Sequence, residues 1–137
     1  MSNFYPCEFI DDSKNQWKSS EHYYQAHKFT DMYFFNKIKA EPTPKQCYKL
    51  AWQFKSFFRK DWMEVKDKIM WEAINYKFNQ NTDLRRKLMN TYPKKLVEHS
   101  LRDFHYGCGI DGSGKNILGQ MLMQLRDIYI KSFASKL

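Results

Sequence analysis

A chain of 137 residues, 42% of them hydrophobic, is long enough to bury one core and too short for two, so a single domain over 1–137 is expected. Eleven Phe, nine Tyr and four Trp suit a small core or the walls of a sugar or base pocket. A formal charge of +8 favours polyanionic or phosphate-bearing partners. Cys7, Cys47 and Cys108 have no CxxC or paired Cys/His spacing, which argues against a structural zinc, and no apolar run approaches the roughly 20 residues of a membrane span.

Free thiols without a leader segment indicate a reducing, cytoplasmic setting. The final Ser135-Lys136-Leu137 has the form of a peroxisomal address, with meaning only in a eukaryotic cell. The positive charge is spread along the chain rather than gathered in a basic arm, so it is weak evidence for a dedicated nucleic-acid binder, which stays as a third reading.

In chain order, Phe4, Tyr5, Phe9 and Trp17 surround a polar Asp11-Asp12-Ser13-Lys14 turn and predict one or two short strands. Ser20 to Phe29 predicts the first helix. At about 3.6 residues per turn it aligns Glu21, Gln25 and Lys28 on one stripe beside Tyr24, its ends roughly 10 Å apart. A charged stripe is ordinarily a solvated face; this one also suits two groups holding opposite sides of a small ligand. A second helix begins at Thr43, with Pro44 at its first position and Gln46 completing a capping box, and buries Cys47, Leu50, Ala51, Phe54 and Phe57. Asp61 with Glu64 repeats the capping pattern for a third helix, whose core face is Trp62, Val65, Ile69, Ala73 and Tyr76.

A short helix follows with Leu84 and Leu88. Leu96 to Ser100 reads as a strand, and Gly107, Gly109, Gly112 and Gly114 mark a loop. A last helix carries Leu118, Met121, Leu122, Leu125 and Ile128. The fold class is mainly α (α+β), with five to six helices and a small β element.

The segment Gly109 to Asn116 nearly fits a phosphate loop. Asn116 stands where a magnesium-binding hydroxyl is needed, however, and too little chain follows for a nucleotide-binding sheet. The acids are more informative. Glu98 interrupts an apolar run, so partial desolvation would raise its pKa into the range of a general acid or base. Asp103 precedes the glycine loop. Several carboxylates around a sugar are the minimum equipment for cleaving a glycosidic bond. Lys28 is either solvated or, beside Tyr24 and Phe29, buried with a lowered pKa and nucleophilic. His22, His27, His99 and His105 have no triad-like companions and read as surface or satisfied core residues.

Taken together, Ser2-Asn3-Phe4-Tyr5-Pro6, Ser20-Glu21-His22-Tyr23-Tyr24-Gln25-Ala26 with Lys28-Phe29, Arg59-Lys60-Asp61-Trp62 and Lys77-Phe78-Asn79-Gln80-Asn81 form an ordered set of motifs. It continues through Leu96-Val97-Glu98-His99-Ser100, Asp103, Gly107-Cys108-Gly109 and Gly114-Lys115-Asn116-Ile117-Leu118-Gly119. This order resembles the NADAR, or YbiA-like, family from residue 2 to about 126. The resemblance implies a compact, mainly helical domain that hydrolyses N-glycosidic bonds. Its substrates would be phosphorylated ribosylamino-pyrimidines of early riboflavin synthesis or ADP-ribosylated guanine in nucleic acid.

On that reading Glu21 and Asp103 polarise the ribose and position water, and Glu98 protonates the departing amine or acts as base. Lys28 steadies sugar and phosphate oxygens or attacks C1. Gln25 shares the stripe; Asn3, Phe4, Tyr5, Trp62 and Tyr106 line the pocket, with Gly107, Gly109 and Asn116 at its rim. Three positions depart from the family pattern: Ala51-Trp52 replaces Gly-Arg, Tyr106 replaces tryptophan, and Thr91-Tyr92 replaces Thr-Gly. Without that arginine, Lys49 or Arg59 would hold a phosphate. Neither metal nor cofactor is required, no membrane is involved, and a monomer is expected. The rival reading is a non-catalytic module that binds ADP-ribose or NAD.

Overall fold

The computed structural model describes residues 7–97 and 115–136. They fall into two units, one running to Gln80 and the other starting at Asn81.

The first unit opens with an antiparallel pair, β1 (Phe9–Ile10) and β2 (Gln16–Trp17), with Phe9 opposite Trp17. The polar turn between them is organised by Asp11. Its Oδ1 accepts from the Ser13 and Asn15 N–H groups, and its Oδ2 from the Trp17 indole N–H at 2.9 Å. Burial acts to raise this carboxyl's pKa; the donors, Trp17 foremost, outweigh it and hold the group below its ordinary value. Asp11 is therefore a structural acid.

Four helices follow. Ser19 caps α1 (Ser20–Ala26), accepting the His22 N–H at 3.2 Å. A helix absent from the sequence reading, α2 (Met32–Lys39), begins at Asp31, whose carboxylate accepts the Tyr33 N–H, and buries Phe35 and Ile38. α3 (Pro44–Gln53) starts as expected: Thr43 accepts the Gln46 N–H and donates its hydroxyl to Gln46 Oε1 at 2.9 Å. It buries Cys47 and Ala51 but stops at Gln53, and Lys55–Phe57 forms a 3-10 turn. Phe57, expected in the core, is exposed because the helical register ends before reaching it. α4 (Trp62–Asn79) buries Trp62, Ile69 and Ala73 as expected. Its N-cap position is Asp61, yet that side chain caps nothing: both oxygens are taken by the Arg59 guanidinium, at 2.6 and 2.9 Å. This fork corrects the expected capping role and holds the Asp61 carboxyl below its ordinary range.

Within this unit α1 lies at the centre, packed against α2, α3 and α4. Part of the aromatic content is core, Phe9, Trp17, Tyr23, Phe35 and Phe78 among it, whereas Tyr33, Tyr48, Trp52 and Phe57 are exposed. Tyr23 meets Phe9, Trp17, His27 and Tyr76 at ring distances of 4.0 to 5.9 Å.

The second unit pairs α5 (Thr82–Asn90), which buries Leu84 and Leu88, with α6 (Ile117–Ala134). α6 buries Leu118, Leu122 and Leu125, whereas Ile128, expected on the same face, is exposed: the buried stripe passes through Leu125 and Arg126 instead. Arg126 donates to the Thr91 hydroxyl at 3.0 Å and the Lys94 carbonyl at 2.7 Å, fixing the chain that leaves α5. Leu96 and Val97 form no strand; Glu98 to Ser100 and the glycine loop lie outside the described residues.

Asn116 enters α6 in the left-handed region (φ 52) and its amide donates to the Leu96 carbonyl at 3.0 Å. A Cβ on Gly119 would sit 2.5 Å from that carbonyl and against the Asn116 amide. Gly119→Ala should therefore cost about 1–3 kcal/mol, read as a lowered denaturant midpoint with unchanged m; an unchanged midpoint would show that Asn116 and Leu96 yield without strain. Among the described residues no helix is long and apolar enough to cross a membrane, and no cluster of His, Cys, Asp and Glu could hold a metal.

Candidate active site

The sequence of α1, Ser-Glu-His-Tyr-Tyr-Gln-Ala, is mostly polar, yet every residue of it is buried. Burying polar groups costs about 1–3 kcal/mol each unless partners are supplied, so a helix of this kind has to be accounted for atom by atom. The His22 Nε2 lies 2.8 Å from the Glu41 carbonyl and Nδ1 2.7 Å from the Ser19 hydroxyl. The carbonyl requires Nε2 to carry the proton, and burial favours the neutral ring. His22 is a satisfied core histidine, the second of the two readings, surface or core, that the sequence left open. His27 bonds the Tyr23 carbonyl at 2.7 Å and belongs to the same class. The Tyr23 hydroxyl donates to Glu72 at 3.2 Å.

That leaves the stripe. Glu21, Gln25 and Lys28 are only 5%, 4% and 6% exposed, so the solvated-face reading is overturned. The Gln25 Nε2 donates to Glu21 Oε1 at 2.6 Å, one helical turn away. Gln25 Oε1 is buried and has no hydrogen-bond partner among the described residues. Turning the amide over would set that oxygen against the carboxylate, so the orphaned acceptor is a consequence of Glu21. Below the helix, the Cys47 thiol donates weakly to the Glu21 carbonyl at 3.9 Å, and burial pushes this thiol's pKa up, leaving it inert.

Lys28 lies beyond the end of α1. The predicted helix to Phe29 stops at Ala26, and tighter bonds from Lys28 N–H to the Gln25 carbonyl and from Phe29 N–H to Ala26 close the turn. The Arg59 N–H donates to the Lys28 carbonyl at 2.7 Å, and Phe58, the residue before Arg59, lies against the Lys28 ammonium. The Lys28 ammonium faces four rings: Phe58 at 5.0 Å, Trp52 at 5.1 Å, Tyr24 at 5.5 Å and Trp62 at 5.9 Å. Burial pushes its pKa down to about 8; the Glu21 carboxylate acts in the opposite direction, and Lys66 adds to the fall. An amine in this setting is neutral in about one molecule in ten at pH 7, against far fewer for a solvated lysine.

The structure thus brings Glu21, Gln25, Lys28 and Trp62 together in one unit. Arg59 is near through its backbone, with its guanidinium held by Asp61. Lys49 is exposed on α3. Asn116 belongs to the second unit, where its amide is tied to Leu96. Asn3, Phe4, Tyr5, Glu98, Asp103, Tyr106, Gly107 and Gly109 lie outside the described residues. Sequence reading missed Trp52 and Phe58 as walls around Lys28. Trp52 was visible only as a departure from a motif, and its proximity to Lys28 depends on tertiary packing.

Fold and site define a mainly helical protein with a desolvated acid–amide–lysine group walled by aromatics. The sequence profile of the NADAR domain matches residues 1–129, and the chain belongs to that family. It is 40% identical over 127 residues to the N-glycosidase YbiA of Escherichia coli, covering 93% of this chain and 79% of that protein. It is 39% identical over 127 residues to a riboflavin biosynthesis protein of Vibrio vulnificus, covering 93% of this chain but only 34% of that protein, so it spans about a third of that relative. The solved NMR structure of Escherichia coli YbiA superposes with a TM-score of 0.87 at 38% identity, over 96% of this chain and 79% of that one.

Proposed function

We propose that the protein is an N-glycosyl hydrolase that cleaves the bond between ribose C1 and an amine. The observation that carries this reading is Lys28, a buried amine lowered to about 8 by desolvation, with ring faces around it. Family membership and relatives named as N-glycosidases support the reaction class.

In this reading the neutral Lys28 amine attacks C1. The C1–N bond breaks, its electron pair goes to the departing nitrogen, and that nitrogen takes a proton from the carboxylic acid of Glu98. The lysine nitrogen loses a proton to a carboxylate, its lone pair opens the bond from C1 to the ribose ring oxygen, and that oxygen takes the proton, giving an iminium and an open-chain sugar. Water then adds at C1, the C1–lysine bond breaks, and ribose leaves with a free anomeric hydroxyl. Glu21, oriented by Gln25, and Asp103 act on the ribose hydroxyls and the water. Aromatic walls exclude competing water and accept the sugar's apolar faces. The aglycone is either guanine in ADP-ribosylated nucleic acid or a phosphorylated ribosylamino-pyrimidine.

The test is parallel incubation with guanine-ADP-ribosylated single-stranded DNA and with the ribosylamino-pyrimidine phosphate. Release of sugar from one and not the other is the expected result and selects the aglycone. Release from neither, by folded protein that still binds ADP-ribose, would replace the enzyme with a non-catalytic ADP-ribose module.

A further inference from the structure

The buried amide of Gln25 has one matched end and one unmatched end. Its Nε2 donates to Glu21 Oε1 at 2.6 Å, whereas its Oε1 has no partner among the described residues. The two heteroatoms share one carbon, so the unmatched oxygen stands beside the carboxylate that the nitrogen holds. Rotating the amide gains nothing, because a carbonyl turned to a carboxylate has no proton to offer it. Nor does Lys28 supply the donor: its ammonium lies among the faces of Phe58, Trp52, Tyr24 and Trp62, at 5.0 to 5.9 Å.

A buried acceptor without a donor is rare, because it keeps the full cost of leaving water. That cost is returned when a ligand brings an O–H or N–H to it. The Lys28 N–H bonds the Gln25 carbonyl at 3.2 Å, and the two side chains are three positions apart, which sets them on one side of the turn. With the Lys28 amine at C1 of a sugar, the groups beside Gln25 are those on C1 and on the adjoining carbon. The ring oxygen accepts and cannot donate. The departing nitrogen has to gain a proton, which a carbonyl cannot give. The hydroxyl on C2 has the proton that Oε1 lacks.

We propose that Gln25 Oε1 accepts a hydrogen bond from the C2 hydroxyl of the sugar, making Gln25 the residue that selects ribosyl over 2-deoxyribosyl ligands. The placement of C1 rests on the glycosidase reading. A 2-deoxyribosyl ligand of the same shape leaves the oxygen unmatched inside a closed complex. A site built to pair with a hydroxyl rejects the analogue without it more strongly than size alone allows.

The probes are ADP-ribose and two analogues whose terminal ribose lacks the C2 or the C3 hydroxyl, titrated into the full chain by calorimetry. Wild type should bind ADP-ribose about 10- to 100-fold more tightly than the C2-deoxy analogue, the range for one buried acceptor left unpaired. In Gln25→Met, which keeps the volume and removes the acceptor, that ratio should fall to near one, while the C3 ratio stays as in wild type. A purely structural role would weaken all three ligands together and leave both ratios unchanged. Equal binding of ADP-ribose and the C2-deoxy analogue by wild type, or a C2 ratio that survives Gln25→Met, would overturn the proposal. The wild-type comparison needs no variant, so it decides even where Gln25→Met does not fold. No bond is cleaved in these titrations. A C2 ratio that holds while sugar release is absent leaves the hydroxyl reader in a binding module, so the two readings fail separately.

Discussion

Glu21→Gln should lower the rate of sugar release by about 10³-fold while leaving ADP-ribose binding within a few-fold of wild type. The substitution is chosen for its geometry. A glutamine at position 21 still offers an oxygen to the Gln25 amide, which donates to Glu21 at 2.6 Å, so the helix keeps its internal bond. What is lost is the negative charge and the ability to exchange a proton in a site that is nearly sealed from water. Sugar release followed by chromatography, alongside calorimetric binding, separates the two roles. A rate within ten-fold of wild type would make Glu21 a packing residue and remove it from the chemistry.

Lys28→Met should have two opposite effects. It should abolish turnover and the covalent adduct that borohydride traps from the iminium, and it should stabilise the fold at neutral pH. The sign follows from the depressed pKa. In the folded chain the amine titrates near 8, against 10.5 for an ordinary lysine. Below about 8 both states carry the proton and the folded state bears the whole desolvation cost. Between about 8 and 10.5 the unfolded chain binds more protons, so wild-type stability rises with pH. The cost is on the order of 3 kcal/mol at most, reduced by the attraction of the surrounding ring faces for the ammonium. The stability advantage of the methionine variant should thus be largest near pH 7 and vanish by about pH 10.5. Denaturant titrations of both proteins at a series of pH values measure it. A constant gap across that range would place the lysine in a solvated setting, and an adduct that persists in the variant would sink the lysine route.

What could be read from the sequence was local. Thr43-Pro44 with Gln46 identified the start of α3 because capping depends on neighbours within one turn. The same logic failed at Asp61, where an arginine two residues earlier competes for the carboxylate, and capping patterns do not include that competitor. α2 went unseen because Met32 to Phe35 is dominated by aromatics of modest helical propensity; burial of Phe35 and Ile38 stabilises it. The stripe of Glu21, Gln25 and Lys28 followed from periodicity. Its burial did not, since helices α2, α3 and α4 have to surround α1 before a polar face loses its water. Trp52 shows the same limit: a residue 24 positions from Lys28 becomes its neighbour only in three dimensions.

The complete burial of α1 also bears on how the enzyme can change. Seven consecutive side chains have no solvent-facing position among them, and each substitution there meets a neighbour already at packing density. Such a helix cannot be adjusted gradually. The exposed face of α3 carries no such constraint: Lys45, Tyr48 and Lys49 can be exchanged one at a time while the buried groups of α1 stay where they are.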